Sequence, residues 1–248
     1  MMSGSRQIVV LLFLYACIQT LAVFLITWSQ PAIHAAAGMM LALFVIWVVI
    51  IGGIMYALRD RVRATLSRFP NWQSWFLPFV LCLVLLEELI AVGITNAAPF
   101  FGVKIGEAYL TASTNYFDVV FNHSVIVFLP LLIAWAWSLK RYKFSPTTVF
   151  LYWGLTGVCA ELLFAGGNLF ALIAIGFWVF VYGLMLWLPT YCMPADRPAI
   201  EPRYYHYAFP ILAYILFFTA FLFLVALIGT PLGFDLFSHP KLHFTAMG

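Results

Sequence analysis

Charge is scarce in this sequence. Aspartate, glutamate, lysine and arginine together make up 8% of its 248 residues, against 65% hydrophobic residues. A soluble chain of this size carries about 25% charged residues, so this composition excludes an ordinary water-soluble fold. No polar tract is long enough to form a soluble domain, a linker or a low-complexity segment. A P-loop, a dinucleotide fingerprint and a basic patch with interleaved aromatics are all missing, which removes nucleotide and nucleic acid from the expected partners. The four cysteines, Cys17, Cys82, Cys159 and Cys192, stand singly with no CxxC spacing, and read as small apolar side chains in helix packing. Of the histidines His34, His123, His206, His239 and His243, only His239 and His243 have the i, i+4 spacing of a helical metal site, and they lie in the C-terminal tail with Pro240 between them, so no metal is expected. No motif names a cofactor.

Apolar runs of roughly 20 residues, the length that crosses ~30 Å of hydrocarbon, recur along the chain. With a mean hydropathy of +1.03, they predict an all-α, polytopic helical membrane protein in a single transmembrane domain. Seven spans are expected, at about Ile8–Trp28, Gly38–Leu58, Trp75–Ala98, Phe121–Leu139, Thr147–Gly166, Leu169–Leu188 and Tyr207–Ile228. The first is too long for the apolar region of a signal peptide and is expected to remain uncleaved. Alternating sides across these spans place Arg6, Arg59, Arg61, Arg63, Arg68, Lys140, Arg141, Lys143, Arg197 and Arg203 together, with Lys104 and Lys241 opposite. Lys and Arg gather in cytoplasmic loops, so the N-terminus is expected inside and the C-terminus outside a cell membrane. The net charge of +3 is thus a topology signal.

Against this background the stretch "LLEELIAVGITN", Leu85 to Asn96, is out of place. Glu88 follows Phe76 by twelve residues, about 18 Å of helical rise, which puts it near the bilayer midplane. Glu161 lies about 21 Å from Thr147 by the same arithmetic, slightly further toward the outer side. An ionised side chain at that depth costs at least ~2.5 kcal/mol, so these groups must be neutral, paired or beside a wet cavity. Glu87 and Glu88 project about 100° apart on a helix and resist joint ionisation, which makes a shared proton available for acid/base work or relay. The alternative is that they hydrogen-bond to neighbouring helices and only lock the bundle.

Glu88 begins "ELIAVG" and Glu161 begins "ELLFAG", with Asn96 and Asn168 downstream and the aromatic starts "FLPF" and "FLYW" upstream. The correspondence suggests a parallel duplication of a helix pair, 75–139 and 147–188. In that arrangement Glu88 and Glu161 meet at one internal site, and Gly93, Gly166 and Gly167 let helix backbones approach. His123, in "FNHSVIV" between Asn122 and Ser124, is the remaining candidate for proton transfer, with an interfacial helix cap as its plainer role. The candidate catalytic set is therefore Glu87, Glu88, Glu161 and His123, and Asn96, Asn122 and Asn168 are candidate substrate-binding residues. The long loop at about Pro99 to Val120 either folds over the outer end of the bundle or lies among the headgroups.

Three functions fit these features. The first is an accessory or structural subunit of a membrane complex, its glutamates binding a neighbouring helix. The second is a membrane-embedded acid/base enzyme acting on a lipid-like substrate, and the third is a proton- or cation-coupled transporter. The corresponding partners are the lipid bilayer, other membrane subunits or a hydrophobic small molecule. The charge pattern carries a direct test of topology. Protease added outside intact cells should remove a C-terminal tag and spare an N-terminal one; equal fates for both tags would contradict an odd number of spans.

Overall fold

The computed structural model describes residues 4–122, 124–164 and 170–229. The protein is all-helical, and among the described residues there is no strand beyond isolated bridges such as Tyr142 with Ile200. Among the described residues six helices are long and apolar enough to cross a membrane: Gln7–Ile26, Pro31–Leu66, Trp72–Asn96, Ser124–Arg141, Ile175–Cys192 and Tyr204–Ile228.

In chain order, α1 (Gly4–Ile26) is followed by α2, which begins at Pro31 and runs unbroken to Leu66. Proline at the first helical position sets this start, because its missing N–H would have no partner there anyway. The helix extends well past the expected end at Leu58 because Arg59 to Leu66 contains no breaker, and its arginines carry it out of the apolar region. Phe44–Ile51 winds as a π-helix. There the Trp47 indole donates to Val181 O at 2.9 Å. Helix α3 (Trp72–Asn96) is capped by Asn71, whose side chain accepts from Gln73 N. The short α4 (Tyr116–Asn122) leads into α5 (Ser124–Arg141). Next come α6 (Pro146–Phe164), a single helical turn at Phe170–Ile173, α7 (Ile175–Cys192) and α8 (Phe209–Leu224). Helix α6 occupies the position of the fifth expected span, whose end at Gly166 lies outside the described residues.

Helix α7 is the central element. Nearly all of its side chains are buried, and α1, α2, α3 and α6 pack around it. Lipid tails are as apolar as leucine, so in a membrane such packing depends on close backbone approach through small residues. The sequence points to Gly93, Gly166 and Gly167 for this purpose, and the structure uses others. A Cβ added at Gly93 would meet nothing within 4 Å, and Gly166 and Gly167 lie outside the described residues. The close contact belongs to α6 and α7: a Cβ at Gly154 would come within 2.6 Å of Val179 O, and one at Gly183 within 2.6 Å of Phe150 Cδ2. A Cβ at Gly157 would enter the Tyr182 ring. Helix α8 is peripheral, docked on α5 by the Trp137 and Phe209 stack with centroids 4.7 Å apart, and exposes Ile211, Leu212, Ile215 and Leu216.

Gly157→Ala is expected to destabilise the detergent-solubilised protein by about 1–3 kcal/mol, the usual cost of overpacking. Gly93→Ala should stay within about 0.5 kcal/mol. Equal thermal shifts for the two variants would contradict the α6–α7 contact.

Candidate intramembrane carboxylate site

From Val80 onward the buried positions of α3 form a stripe two residues wide: Val80, Leu83, Val84, Glu87, Glu88, Ala91, Val92, Ile94 and Thr95. This is the helical period, with buried positions three and four residues apart. Both glutamates fall on the stripe, which is why two side chains about 100° apart are both internal, with 6% and 7% of their surface exposed. The outward positions beside them are Leu86 and Leu89.

Glu161, on α6, comes into the same group. Glu87 lies within electrostatic reach of both Glu88 and Glu161, and Glu88 within reach of Glu161. Helix α7 supplies Tyr182, whose hydroxyl donates to Glu161 Oε1 at 2.5 Å. The glycines place it there, because the Tyr182 ring occupies the space that a side chain at Gly157 would fill. Ser124, at the start of α5, is placed to donate its hydroxyl to Glu88. Glu161 and Glu88 thus each face a hydroxyl from another helix, Tyr182 of α7 and Ser124 of α5.

Aromatic rings wall the cluster. Phe128 packs edge-on to Tyr182 with centroids 5.6 Å apart and also meets Trp153 at 5.9 Å, while Trp178 lies 6.0 Å from Tyr182. The indole N–H of Trp153 is buried and has no acceptor among the described residues. Among the described residues, no three His, Cys, Asp or Glu side chains converge closely enough to hold a metal ion.

The loop after α3 folds back over this end of the bundle. Thr95 Oγ1 is its anchor, accepting from Leu110 N at 3.1 Å, Thr111 N at 3.3 Å and Thr111 Oγ1 at 3.1 Å. Gly102 and Gly106 turn the loop with φ of 83° and 94°, values that favour glycine. Phe101 closes against Gly38 on α2, where an added Cβ would come within 2.9 Å of its ring. At the far end of the loop Tyr116 donates to Leu85 O at 3.1 Å and comes within electrostatic reach of Glu88.

The other candidate residues have different surroundings. The Asn96 amide donates to Val92 O at 3.0 Å and Thr114 O at 2.8 Å, so it fastens the loop to α3. Asn122 donates to Asp118 Oδ1 at 3.0 Å within α4. His123 and Asn168 lie outside the described residues. Sequence reasoning did not select Tyr182, Tyr116 or Trp153, and took Ser124 only as a neighbour of His123. The available signal was a lone tyrosine beside a glycine inside an apolar span, at Tyr182 and Gly183.

No protein-family model, curated protein or solved structure matches the chain.

The Tyr182 and Glu161 contact should appear as coupling in a double-mutant cycle of Tyr182→Phe and Glu161→Leu. Thermal unfolding should give a coupling of about 1 kcal/mol or more. Additive effects, within about 0.3–0.5 kcal/mol, would show that the two side chains do not interact.

Proposed function

We propose that this protein is a membrane-embedded acid/base enzyme that acts on a lipid-like substrate. Glu87, Glu88 and Glu161 are its proton-handling groups, and Tyr182 is the residue that positions Glu161. The observation carrying this reading is the convergence of three carboxyls, from two helices that are distant in sequence, inside the bundle. Glutamates offered to a neighbouring subunit would stand on the outer surface of α3, where Leu86 and Leu89 are found instead. The aromatic walls favour a hydrophobic ligand, and adjacent carboxyls allow one to give a proton while another accepts one. His123 directly precedes Ser124, which bonds Glu88, and is retained as an assisting group. Asn96, Asn122 and Asn168 are retained as residues that line the substrate's approach.

In the same proposal α6 is a seventh span, the N-terminus is cytoplasmic and the C-terminus outside, and the location is a cell membrane. The meeting of Glu88 with Glu161 also supports the duplication of 75–139 as 147–188, because equivalent positions of two repeated helices would share one internal site.

The test is purification in mild detergent followed by mass spectrometry of everything that remains bound, for wild type, Glu88→Gln and Glu161→Gln. A specific hydrophobic molecule accumulating on the variants, and depleted from wild type, is the expected result. A stoichiometric protein partner lost from Glu88→Gln would assign the chain to a membrane complex instead. Proton flux into proteoliposomes that depends on Glu88 would identify a transporter.

A further inference from the structure

A second site lies at the Lys- and Arg-rich end of the bundle and does not depend on the carboxylate cluster. A shallow, wide-open cavity of about 580 Å³ lies there, lined by Lys140, Arg141, Tyr142, Pro198, Ala199 and Ile200. Its walls are the end of α5 and the connection 193–203, and backbone hydrogen bonds hold them together. Lys143 N donates to Ile200 O, and Ile200 N donates to Arg141 O, each at 2.9 Å.

The carbonyls at a helix C-terminus ordinarily repel an anion. Here those of Leu139 and Arg141 are occupied. Arg197 donates to Leu139 O at 3.4 Å, Tyr142 O at 3.4 Å and Pro194 O at 3.2 Å, and Ile200 N covers Arg141 O. Burial pulls the Arg197 guanidinium below its usual value, and nearby Glu201 pushes it the other way, as suits a cation serving as an internal clamp. Lys140 and Arg141 are left exposed at the cavity. Among the described residues the only ion pair is Arg59 with Asp60, so neither Lys140 nor Arg141 has a carboxylate partner.

The surroundings mark this as the headgroup level of a membrane. Arg141 lies 3.8 Å over the Trp137 ring, Trp137 stacks on Phe209, and Tyr204 and Tyr205 are exposed at the start of the last span. Tryptophan and tyrosine collect where hydrocarbon meets water. Basic pockets between membrane helices at that level recognise acidic lipid headgroups. We infer that this cavity binds the phosphate headgroup of an anionic phospholipid, with Lys140 and Arg141 pairing with the phosphate while the acyl chains lie along α5 and α8.

The experiment is native mass spectrometry in non-ionic detergent with phosphatidylglycerol or phosphatidylcholine of identical acyl chains. Wild type, K140Q/R141Q and the control R61Q/R68Q, which removes two charges elsewhere at the same end, are compared. Wild type and the control should retain phosphatidylglycerol preferentially, and K140Q/R141Q should bind it roughly tenfold more weakly. Lys140→Gln alone should show a smaller loss in the same direction, which covers the case of a double variant that folds poorly. Equal retention of the two lipids by wild type, or equal loss in both double variants, would overturn the site. Displacement of the lipid by inorganic phosphate would assign the cavity to a soluble anion and overturn the lipid assignment.

Discussion

Carboxyl groups buried in an apolar helical bundle have little water to fall back on, and much of this structure follows from that constraint. Glu87, Glu88 and Glu161 must find their partners within the chain. For Glu161 and Glu88 those partners come from different helices, Tyr182 from α7 and Ser124 from α5. The polar cluster therefore ties together helices that apolar packing alone would leave free to slide, since lipid competes equally well for leucine and valine surfaces. The glycines of α6 and α7 serve the same end. Without the space at Gly157 the Tyr182 ring could not occupy its place beside Glu161.

A second constraint acts at the ends of the helices, where backbone groups are left over. At one end, Thr95 and Asn96 of α3 spend their side chains on the backbone of the following loop and bring it down over the bundle. At the other, Arg197 and Ile200 cover the terminal carbonyls of α5. Both arrangements turn a short connection into a fixed surface. The first closes one side of the carboxylate cluster, and the second leaves Lys140 and Arg141 free to face outward.

Together these features describe a bundle with a polar centre and a basic, aromatic rim. The centre gathers carboxyls and hydroxyls among aromatic rings. The rim carries Lys140, Arg141, Trp137, Tyr204 and Tyr205. Helix α8, which docks on α5 mainly through aromatic rings and exposes aliphatic side chains, adds lipid-facing surface close to that rim.

The class of the protein, the approximate positions of six long apolar helices and the three carboxylates as the features out of place were legible in the residues alone. Each of these is a local property: composition, run length and the chemistry of single residues survive without any knowledge of neighbours. The sequence also suggested that Glu88 and Glu161 belong together, through the match of "ELIAVG" with "ELLFAG". Tertiary structure alone decided which face of α3 turns inward, which donors reach each carboxyl and which glycines permit contact. In a soluble helix, polar residues mark the outer face. In α3 both faces are apolar, so the periodic signal at Glu87 and Glu88 becomes legible only once α5, α6 and α7 are in place. Gly93 illustrates the same limit: its place in an apolar helix suggested a contact, but whether another helix lies opposite is set by the packing of the bundle, and at Gly93 the space is open.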